Sequence, residues 1–157
     1  DAPTLQAALG QLAQRHESLR TTFATIEGRP VQVVAPTPAL SLAEHDLRDL
    51  PAPTRMAAAQ QLAEAIIQQP FELARGPLLR AALLRLADDD QLLLLALHHT
   101  IGDGWSLGVL VRELVACYRA SAAGQPAELP ALPLQYADYA AWQRKRLQGA
   151  LLERQLA

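Results

Sequence analysis

The chain has 157 residues, half of them hydrophobic, and a formal net charge of −2. This length predicts one domain with a proper core, and the charge provides no basic surface for a nucleic acid. No apolar run approaches the length of a membrane span, so we expect no membrane contact and a cytoplasmic location. The single cysteine, Cys117, excludes a disulfide framework and a thiolate metal cluster.

Hydrophobic spacing in the first half of the chain predicts two helices and a β-hairpin. Apolar residues recur at helical spacing near the N-terminus, and β-branched residues flank a Gly-Arg-Pro turn farther on. Two prolines then interrupt the chain before a second helical segment, for which Thr54 is the expected N-cap and Pro70 the stop. The predicted elements are a helix over Thr4–Glu17, strands over Thr21–Ile26 and Val31–Val34, an extended piece at Leu40–Leu42 and a helix over Thr54–Gln69.

The second half is predicted to contain another hairpin and two more helices. Two apolar runs enclose the acidic turn Asp88–Asp90, and helical spacing returns from Leu107 and again from Tyr136. Helices arranged around mostly antiparallel strands make an α+β sandwich. The predicted elements are strands over Leu78–Leu86 and Gln91–His98, a helix through Leu107–Tyr118, a loop over Gly124–Pro133 and a last helix from Tyr136 towards the end of the chain.

The stretch from His98 to Ser106 joins the second strand of that hairpin to the next helix and carries the strongest chemical signal. A strand alternates its faces, so His98 and His99 are expected to point in opposite directions, one into the scaffold and the other into a cavity. Imidazole is the side chain best suited to proton transfer near neutral pH. The Asp103-Gly104 pair that follows suits a tight turn, and glycine allows the backbone to approach a ligand closely.

Four segments of the chain resemble the motifs of one protein family. His98–Gly104 reads as HHxxxDG, and Arg15–Phe23 resembles RHExLRTxF. Pro70–Arg80 resembles PFxLxxGPLLR, and Tyr136–Gln143 resembles YxDYAxWQ. The four occur in the order found in the condensation domains of non-ribosomal peptide synthetases, relatives of chloramphenicol acetyltransferase. The resemblance covers nearly the whole chain, and four motifs in order are far more specific than one.

The resemblance implies a fold, a reaction and partners. It predicts an α+β, chloramphenicol acetyltransferase-like sandwich in which residues 1–157 are the N-terminal lobe of a two-lobed condensation domain, without the opening segment and the C-terminal lobe. Complete domains of this kind join a donor aminoacyl or peptidyl thioester to an acceptor amine by an amide bond. The substrates arrive on the phosphopantetheine arms of upstream and downstream peptidyl carrier proteins, beside an adenylation domain. The domain itself is expected to bind no cofactor, and the chain alone to be inactive.

The resemblance also assigns roles to the two histidines. His99 is the expected catalytic residue, acting at the attacking nitrogen either as a general base or by orienting the amine and stabilising charge. His98 is expected to be buried and to support it. No metal ion is expected in the site, because the His16-Glu17 pair lacks a second histidine at the spacing of a zinc-binding helix.

Five further residues complete the predicted site. Asp103 is expected to be structural and paired with Arg20, with a helix N-cap as the competing interpretation. Gly104 is expected to be needed for its backbone conformation, and its N–H could face developing negative charge. Trp105 and Ser106 are expected either to line the site or to pack and cap the helix.

Two other functions stay open at this point. A stand-alone acyltransferase using a soluble thioester such as coenzyme A is disfavoured by the PFxLxxGPLLR and YxDYAxWQ stretches. A non-catalytic module that only docks carrier proteins would have no need of His98, His99 and Asp103. The Asp-Gly-Trp-Ser sequence at positions 103–106 resembles domains that accept an L-configured donor.

Overall fold

A computed structural model describes residues 1–156, which form five α-helices and five β-strands. β1 and β2 form an antiparallel hairpin, and a separate sheet has the order β3-β4-β5. In that sheet β4 is parallel to β3 and antiparallel to β5. The elements are α1 (Ala2–Arg15), a 3₁₀ turn (Glu17–Arg20), β1 (Thr21–Ile26), β2 (Arg29–Val34), β3 (Leu42–Asp46), α2 (Ala52–Gln68), β4 (Leu79–Arg85), β5 (Gln91–Leu97), α3 (Gly104–Ala122), α4 (Tyr136–Arg146) and α5 (Gly149–Leu156).

The central strand β4 separates two apolar clusters. Leu79, Ala81 and Leu83 belong to the cluster that contains the buried residues of α1 and α3. Ala82 and Leu84 belong to the cluster that contains Ala59 of α2. Because successive strand residues point to opposite faces, one run of apolar residues serves both layers. The fold is therefore an α+β arrangement with helices on both faces of a small sheet.

α1 and α3 pack against each other and form the centre of the larger cluster. Leu9 and Leu12 of α1 are fully buried, and so is Cys117 of α3. Complete burial of a leucine side chain stabilises the fold by about 1.5–3 kcal/mol. Burial also raises the pKa of the Cys117 thiol, so this cysteine behaves as a small hydrophobic side chain.

The structure confirms both predicted hairpins and shifts several other boundaries. The first helix covers Ala2–Arg15 and not Thr4–Glu17, because Asp1 caps its start and His16 ends it in an extended conformation. α2 begins at Ala52, because a proline fits the first helical turn and needs no N–H there. Thr54 consequently lies inside the first turn and is not the N-cap, and its hydroxyl donates to the Pro51 carbonyl at 2.9 Å. The predicted extended piece at Leu40–Leu42 is replaced by β3, where Leu42 pairs with Ala81 of β4.

The predicted last helix is two helices. α4 ends at Arg146 and α5 begins at Gly149, whose φ of +54° lies in the left-handed region. That conformation is favoured only for glycine and interrupts a right-handed helix. The apolar spacing continues across the break, which is why periodicity alone predicted one helix.

Candidate functional site

The two histidines lie directly after β5, on a turn that leads towards α3. The backbone N–H of His98 donates to the Leu78 carbonyl at 2.9 Å, so this residue continues the pairing of β5 with the start of β4. The chain then turns, and the Ile101 N–H donates to the His98 carbonyl at 3.0 Å. A turn, and not the alternation of a strand, therefore separates the two imidazoles.

His98 is half-buried and held on the side of the scaffold. Its Nδ1 accepts a hydrogen bond from the Thr100 N–H at 3.2 Å and lies 2.9 Å from the Thr100 hydroxyl. The rings of His98 and Phe71 pack edge to face, with their centroids 5.9 Å apart. Such aromatic pairs add about 0.5–1.5 kcal/mol beyond the area they bury. The contacts agree with the supporting position predicted for His98, although the ring is not fully buried.

Arg80 links this support to the end of α2. Its guanidinium lies over the Phe71 ring, 3.8 Å from the centroid. It donates to three backbone carbonyls where α2 ends, those of Ile66, Gln69 and Pro70, at 3.2, 2.6 and 2.6 Å. The spacing of the PFxLxxGPLLR stretch thus has a physical reason, because its first aromatic residue and its last arginine form one stack behind His98.

His99 lines a cavity of about 310 Å³. The imidazole is exposed, and within residues 1–156 it makes no hydrogen bond to another side chain or to the backbone. The wall around it comes from the turn after α1, from the first turns of α3 and from the segment leading into α4. Wall residues from these three parts include His16, Leu19, Trp105, Leu110, Gln135 and Tyr136. The free imidazole of His99 is therefore available to a ligand in the cavity.

Asp103 caps α3 and does not pair with Arg20. Its Oδ1 accepts from the Ser106 N–H at 2.8 Å and from the Ser106 hydroxyl at 2.7 Å. These hydrogen bonds lower the pKa of the Asp103 carboxyl, so it is ionised near neutral pH. The competing N-cap interpretation is therefore correct for this structure.

Arg20 is engaged elsewhere. It is largely buried, donates to the carbonyl of Ala35, and lies 3.4 Å from the Glu17 carboxylate. The predicted Arg20–Asp103 pair is therefore wrong. The physical reason is that Arg20 ends the 3₁₀ turn and binds the carbonyl after β2, whereas Asp103 accepts a hydrogen bond from the Ser106 N–H at the start of α3.

The closely packed glycine of this loop is Gly102, not Gly104. A Cβ at Gly104 would meet nothing within 4 Å, and its φ is not in the left-handed region, so the predicted conformational need is not found. A Cβ at Gly102 would come within 3.0 Å of Leu97 Cδ1 and 3.4 Å of Ser106 Cβ. A side chain at Gly102 would therefore require Leu97 or Ser106 to move by a few tenths of an ångström.

Trp105 and Ser106 both line the cavity, but in different ways. Trp105 is 85% exposed at its rim. Residues 104–108 read Gly-Trp-Ser-Leu-Gly, which matches the Gly-x-Ser-x-Gly pattern of nucleophilic serines. Ser106 lies inside the first turn of α3, however, and its hydroxyl donates to Asp103. No imidazole within residues 1–156 is hydrogen-bonded to it, so the geometry is that of a cap and not of an activated nucleophile.

His16, in the wall of the cavity, and its partner Glu113 were not among the predicted site residues. His16 Nε2 lies 2.7 Å from Oε2 of Glu113, a buried residue of α3, and Arg15 Nε lies 3.0 Å from the same oxygen. Burial alone would raise the pKa of the Glu113 carboxyl, but the hydrogen bonds from His16 and Arg15 and the positive charge of Arg15 outweigh it and hold that pKa below its ordinary value. The RHExLR match contained the signal for His16, but only the fold brings Glu113 to it.

The described residues give no sign of a metal site or a membrane span. Within residues 1–156, no three histidine, cysteine or acidic side chains are grouped so that they could hold a metal ion. No helix in the same range combines the length and the apolar character needed to cross a bilayer.

A family model described as condensation domain matches residues 1–157, which is the whole chain. The chain belongs to the condensation-domain family. Among curated proteins, this condensation-domain chain is 48% identical over 99% of its length to part of chondramide synthase cmdD from Chondromyces crocatus, covering 4% of that protein. It is 53% identical over 89% of its length to part of phosphinothricin tripeptide synthetase PhsC from Streptomyces viridochromogenes, covering 13%. The chain therefore spans only a small part of these relatives.

Solved structures agree with this family assignment. The starter condensation domain of rhizomide synthetase RzmA matches 96% of the chain with a TM-score of 0.85 and 26% identity, and the chain covers 37% of it. The X-domain from teicoplanin biosynthesis matches 99% of the chain with a TM-score of 0.82 and 33% identity, with 34% of that domain covered. The matching proteins are condensation domains of non-ribosomal peptide synthetases and their structural relatives, which establishes the α+β fold class and the family predicted from the motifs.

Proposed function

We propose that this chain supplies the His99 wall of a site that forms amide bonds between carrier-tethered aminoacyl groups. Condensation domains of non-ribosomal peptide synthetases catalyse peptide-bond formation, and the chain belongs to that family. The observation that carries the proposal is the position of His99, whose unbonded imidazole lines the cavity beside the capped start of α3.

The proposed reaction needs no acyl-enzyme. The amine nitrogen of the acceptor attacks the carbonyl carbon of the donor thioester, the new C–N bond forms, and the C–S bond breaks. The thiol of the donor's phosphopantetheine arm leaves and the nitrogen gives up a proton. Ser106 is not needed as a nucleophile in this scheme, in agreement with its bond to Asp103.

His99 acts at the attacking nitrogen, as a general base or by orienting the amine and stabilising charge. An α-amine has a pKa near 8, so a substantial fraction is already neutral at physiological pH. Proton transfer by a placed side chain contributes typically about 10²–10⁴-fold. Alignment of two tethered substrates supplies a further contribution of comparable or larger size. His98 has the supporting role, because Phe71 and Thr100 hold it behind the turn.

The finer parts of the proposal concern the complete protein. Residues 1–157 act as the N-terminal lobe of the condensation domain, and a second lobe closes the cavity. The partners are an upstream and a downstream peptidyl carrier protein and a neighbouring adenylation domain, and the carriers present the substrates on phosphopantetheine arms. The Asp-Gly-Trp-Ser sequence supports an L-configured donor.

The test is product formation by the complete parent module with both carriers loaded. His99→Ala is expected to lower the rate of dipeptidyl-carrier formation by about 10²-fold or more, with the melting temperature unchanged. The matched control is His45→Ala, which removes a half-buried histidine on β3 that lines no part of the cavity and should leave the rate unchanged. Mass spectrometry of the acceptor carrier measures the product.

The same assay separates the alternatives. Full product formation by His99→Ala would contradict the assignment. Acylation of a free amine from coenzyme A, without carriers, would favour a stand-alone acyltransferase. Binding of loaded carriers by wild-type protein that forms no product would favour a docking module.

A further inference from the structure

His16 forms part of the wall of the cavity that contains His99, and its contacts go beyond those of a packing residue. It lies at the C-terminal end of α1, and its side chain is 22% exposed. One ring nitrogen, Nε2, is 2.7 Å from Oε2 of Glu113. The carboxylate is buried on α3, and Arg15 Nε holds the same oxygen at 3.0 Å.

The Glu113 contact fixes the tautomer of the His16 ring. An ionised carboxylate can only accept hydrogen bonds, so the proton must be on Nε2 of His16. In the neutral ring this leaves Nδ1 with a free lone pair, which is an acceptor. A carboxylate that orients an imidazole through one nitrogen, and so prepares the other for a ligand, is a recurrent arrangement in binding and catalytic sites.

The backbone around His16 is fixed as firmly as its ring. Its N–H donates to the Leu12 carbonyl and its carbonyl accepts from the Leu19 N–H, both at 3.0 Å. Gln135 binds the peptide groups on both sides of it, through its Oε1 at 3.1 Å and its Nε2 at 3.0 Å. Within residues 1–156, Nδ1 is the one polar atom of His16 without a hydrogen-bond partner.

We propose that His16 is a substrate-binding residue of this cavity, whose Nδ1 accepts a hydrogen bond from an N–H group of a carrier-tethered substrate. The inference rests on the proposed function, because that function defines the substrate. Two sources offer such an N–H, the amine of the acceptor and the amides of a phosphopantetheine arm. Because the other polar atoms of His16 already have hydrogen-bond partners, its ring does not need to reorganise when a ligand binds, as is favourable for a binding residue. A purely structural histidine would need only the Glu113 contact.

Two substitutions in the complete parent module separate binding from structure. His16→Gln places an amide near the position of Nε2, so it retains a donor for Glu113 but has no acceptor at the position of Nδ1. His16→Asn does the reverse, because its shorter amide reaches only the position of Nδ1. His45→Gln is the matched control on β3, outside the cavity.

The measurements are KM for each loaded carrier, with the other carrier saturating, together with kcat and the melting temperature. Loss of one hydrogen bond is expected to raise KM about fivefold to tenfold in His16→Gln, with its melting temperature near that of the wild type. In His16→Asn the melting temperature should fall while KM stays within about twofold to threefold of the wild type. The carrier whose KM rises identifies the tethered substrate that offers the N–H, and a rise for the donor alone indicates its side of the cavity. For the acceptor, inhibition by its carrier without an aminoacyl group separates the two sources: an unchanged Ki indicates the amine, and a raised Ki indicates the arm.

The opposite order would overturn the inference. If His16→Gln has wild-type KM values, or if KM rises only in His16→Asn, where the Glu113 contact is broken, the role of His16 is structural. If His16→Gln is itself strongly destabilised, the His16→Asn variant provides the test. A KM of His16→Asn near the wild-type value supports the inference, and a tenfold rise in its KM overturns it. Failure of the proposed function is distinguishable, because the wild-type module would then form no dipeptidyl carrier at all.

Discussion

Asp103 shows at the scale of single residues how one carboxylate organises the backbone beside the cavity. It satisfies the N–H of Ser106 and binds the hydroxyl of the same residue, which fixes the first turn of α3 beside the cavity. The loop between His99 and this cap is short, and it leaves little room for a Cβ at Gly102, which would lie 3.0 Å from Leu97 Cδ1. The position of His99 therefore depends on where α3 begins.

Asp103→Ala should lower the melting temperature by roughly 2–4 °C, because it removes the cap of a helix in a domain of this size. Asp103→Ser should restore most of that loss, since serine is also a favoured N-cap. The effects of Asp103→Ala and Arg20→Met should be additive, because the two side chains do not touch in this structure. Thermal unfolding of the two single variants and the double variant checks this. An effect of the double variant that differs clearly from the sum of the two single effects would show that Arg20 and Asp103 interact.

Contacts between elements bring together what the sequence separates, and Glu113 is the main example. It lies on the buried side of α3 and holds two residues at the end of α1, so it joins the two helices that form the larger cluster. Because the folded environment lowers the pKa of Glu113, folding is favoured by its ionised form. This stabilisation is complete above the ordinary pKa of glutamate and is lost as pH falls through the lowered value.

Glu113→Gln should therefore lower the free energy of unfolding by about 2 kcal/mol at neutral pH, the scale of hydrogen bonds to a charged group. The difference in the free energy of unfolding between Glu113→Gln and the wild type should decrease as pH falls below about 4.3, the ordinary glutamate pKa. Glu72→Gln is the control, because that side chain is exposed and, within residues 1–156, its one ion pair is with exposed Arg75. It should change stability by about 0.5 kcal/mol or less. Urea unfolding between pH 2 and 7 measures both variants. A difference that persists unchanged at low pH would show that the charge of Glu113 is not the cause.

The sequence predicts the elements of this chain better than the contacts between them. Periodicity and turn residues located both hairpins and four helical segments, because these signals are local. The break at Gly149 and the register of β3 depend on a single backbone conformation and on parallel pairing, which no local pattern specifies. The same dependence on long-range contacts applies to the site. The motif was enough to predict His99 as a site residue. The partners of Arg20 and His16 could not be predicted, because they depend on how α1, α3 and the segment before α4 pack.

At the scale of the whole molecule, the cavity has one wall in this chain. The turn after α1, the first turns of α3 and the segment leading into α4 line it, yet His99 and Trp105 are exposed at its open side. The chain covers about a third of the two solved structures described above that it matches. A site open to water aligns substrates poorly, and small misplacement of reacting groups can cost on the order of 10²-fold in rate. We therefore expect amide formation to require the complete domain.

The central claim is that this chain contributes the His99 wall of an amide-forming site and that the wall alone is not enough. The most direct test mixes loaded donor and acceptor carriers with either the complete parent domain or the purified 157-residue chain, and follows the acceptor carrier by mass spectrometry. We predict dipeptidyl carrier with the complete domain and none above the protein-free background with the chain alone. Dipeptidyl carrier formed by the isolated chain, and lost on His99→Ala substitution, would contradict the need for a second wall. Absence of product from the complete domain would contradict the amide-forming site itself.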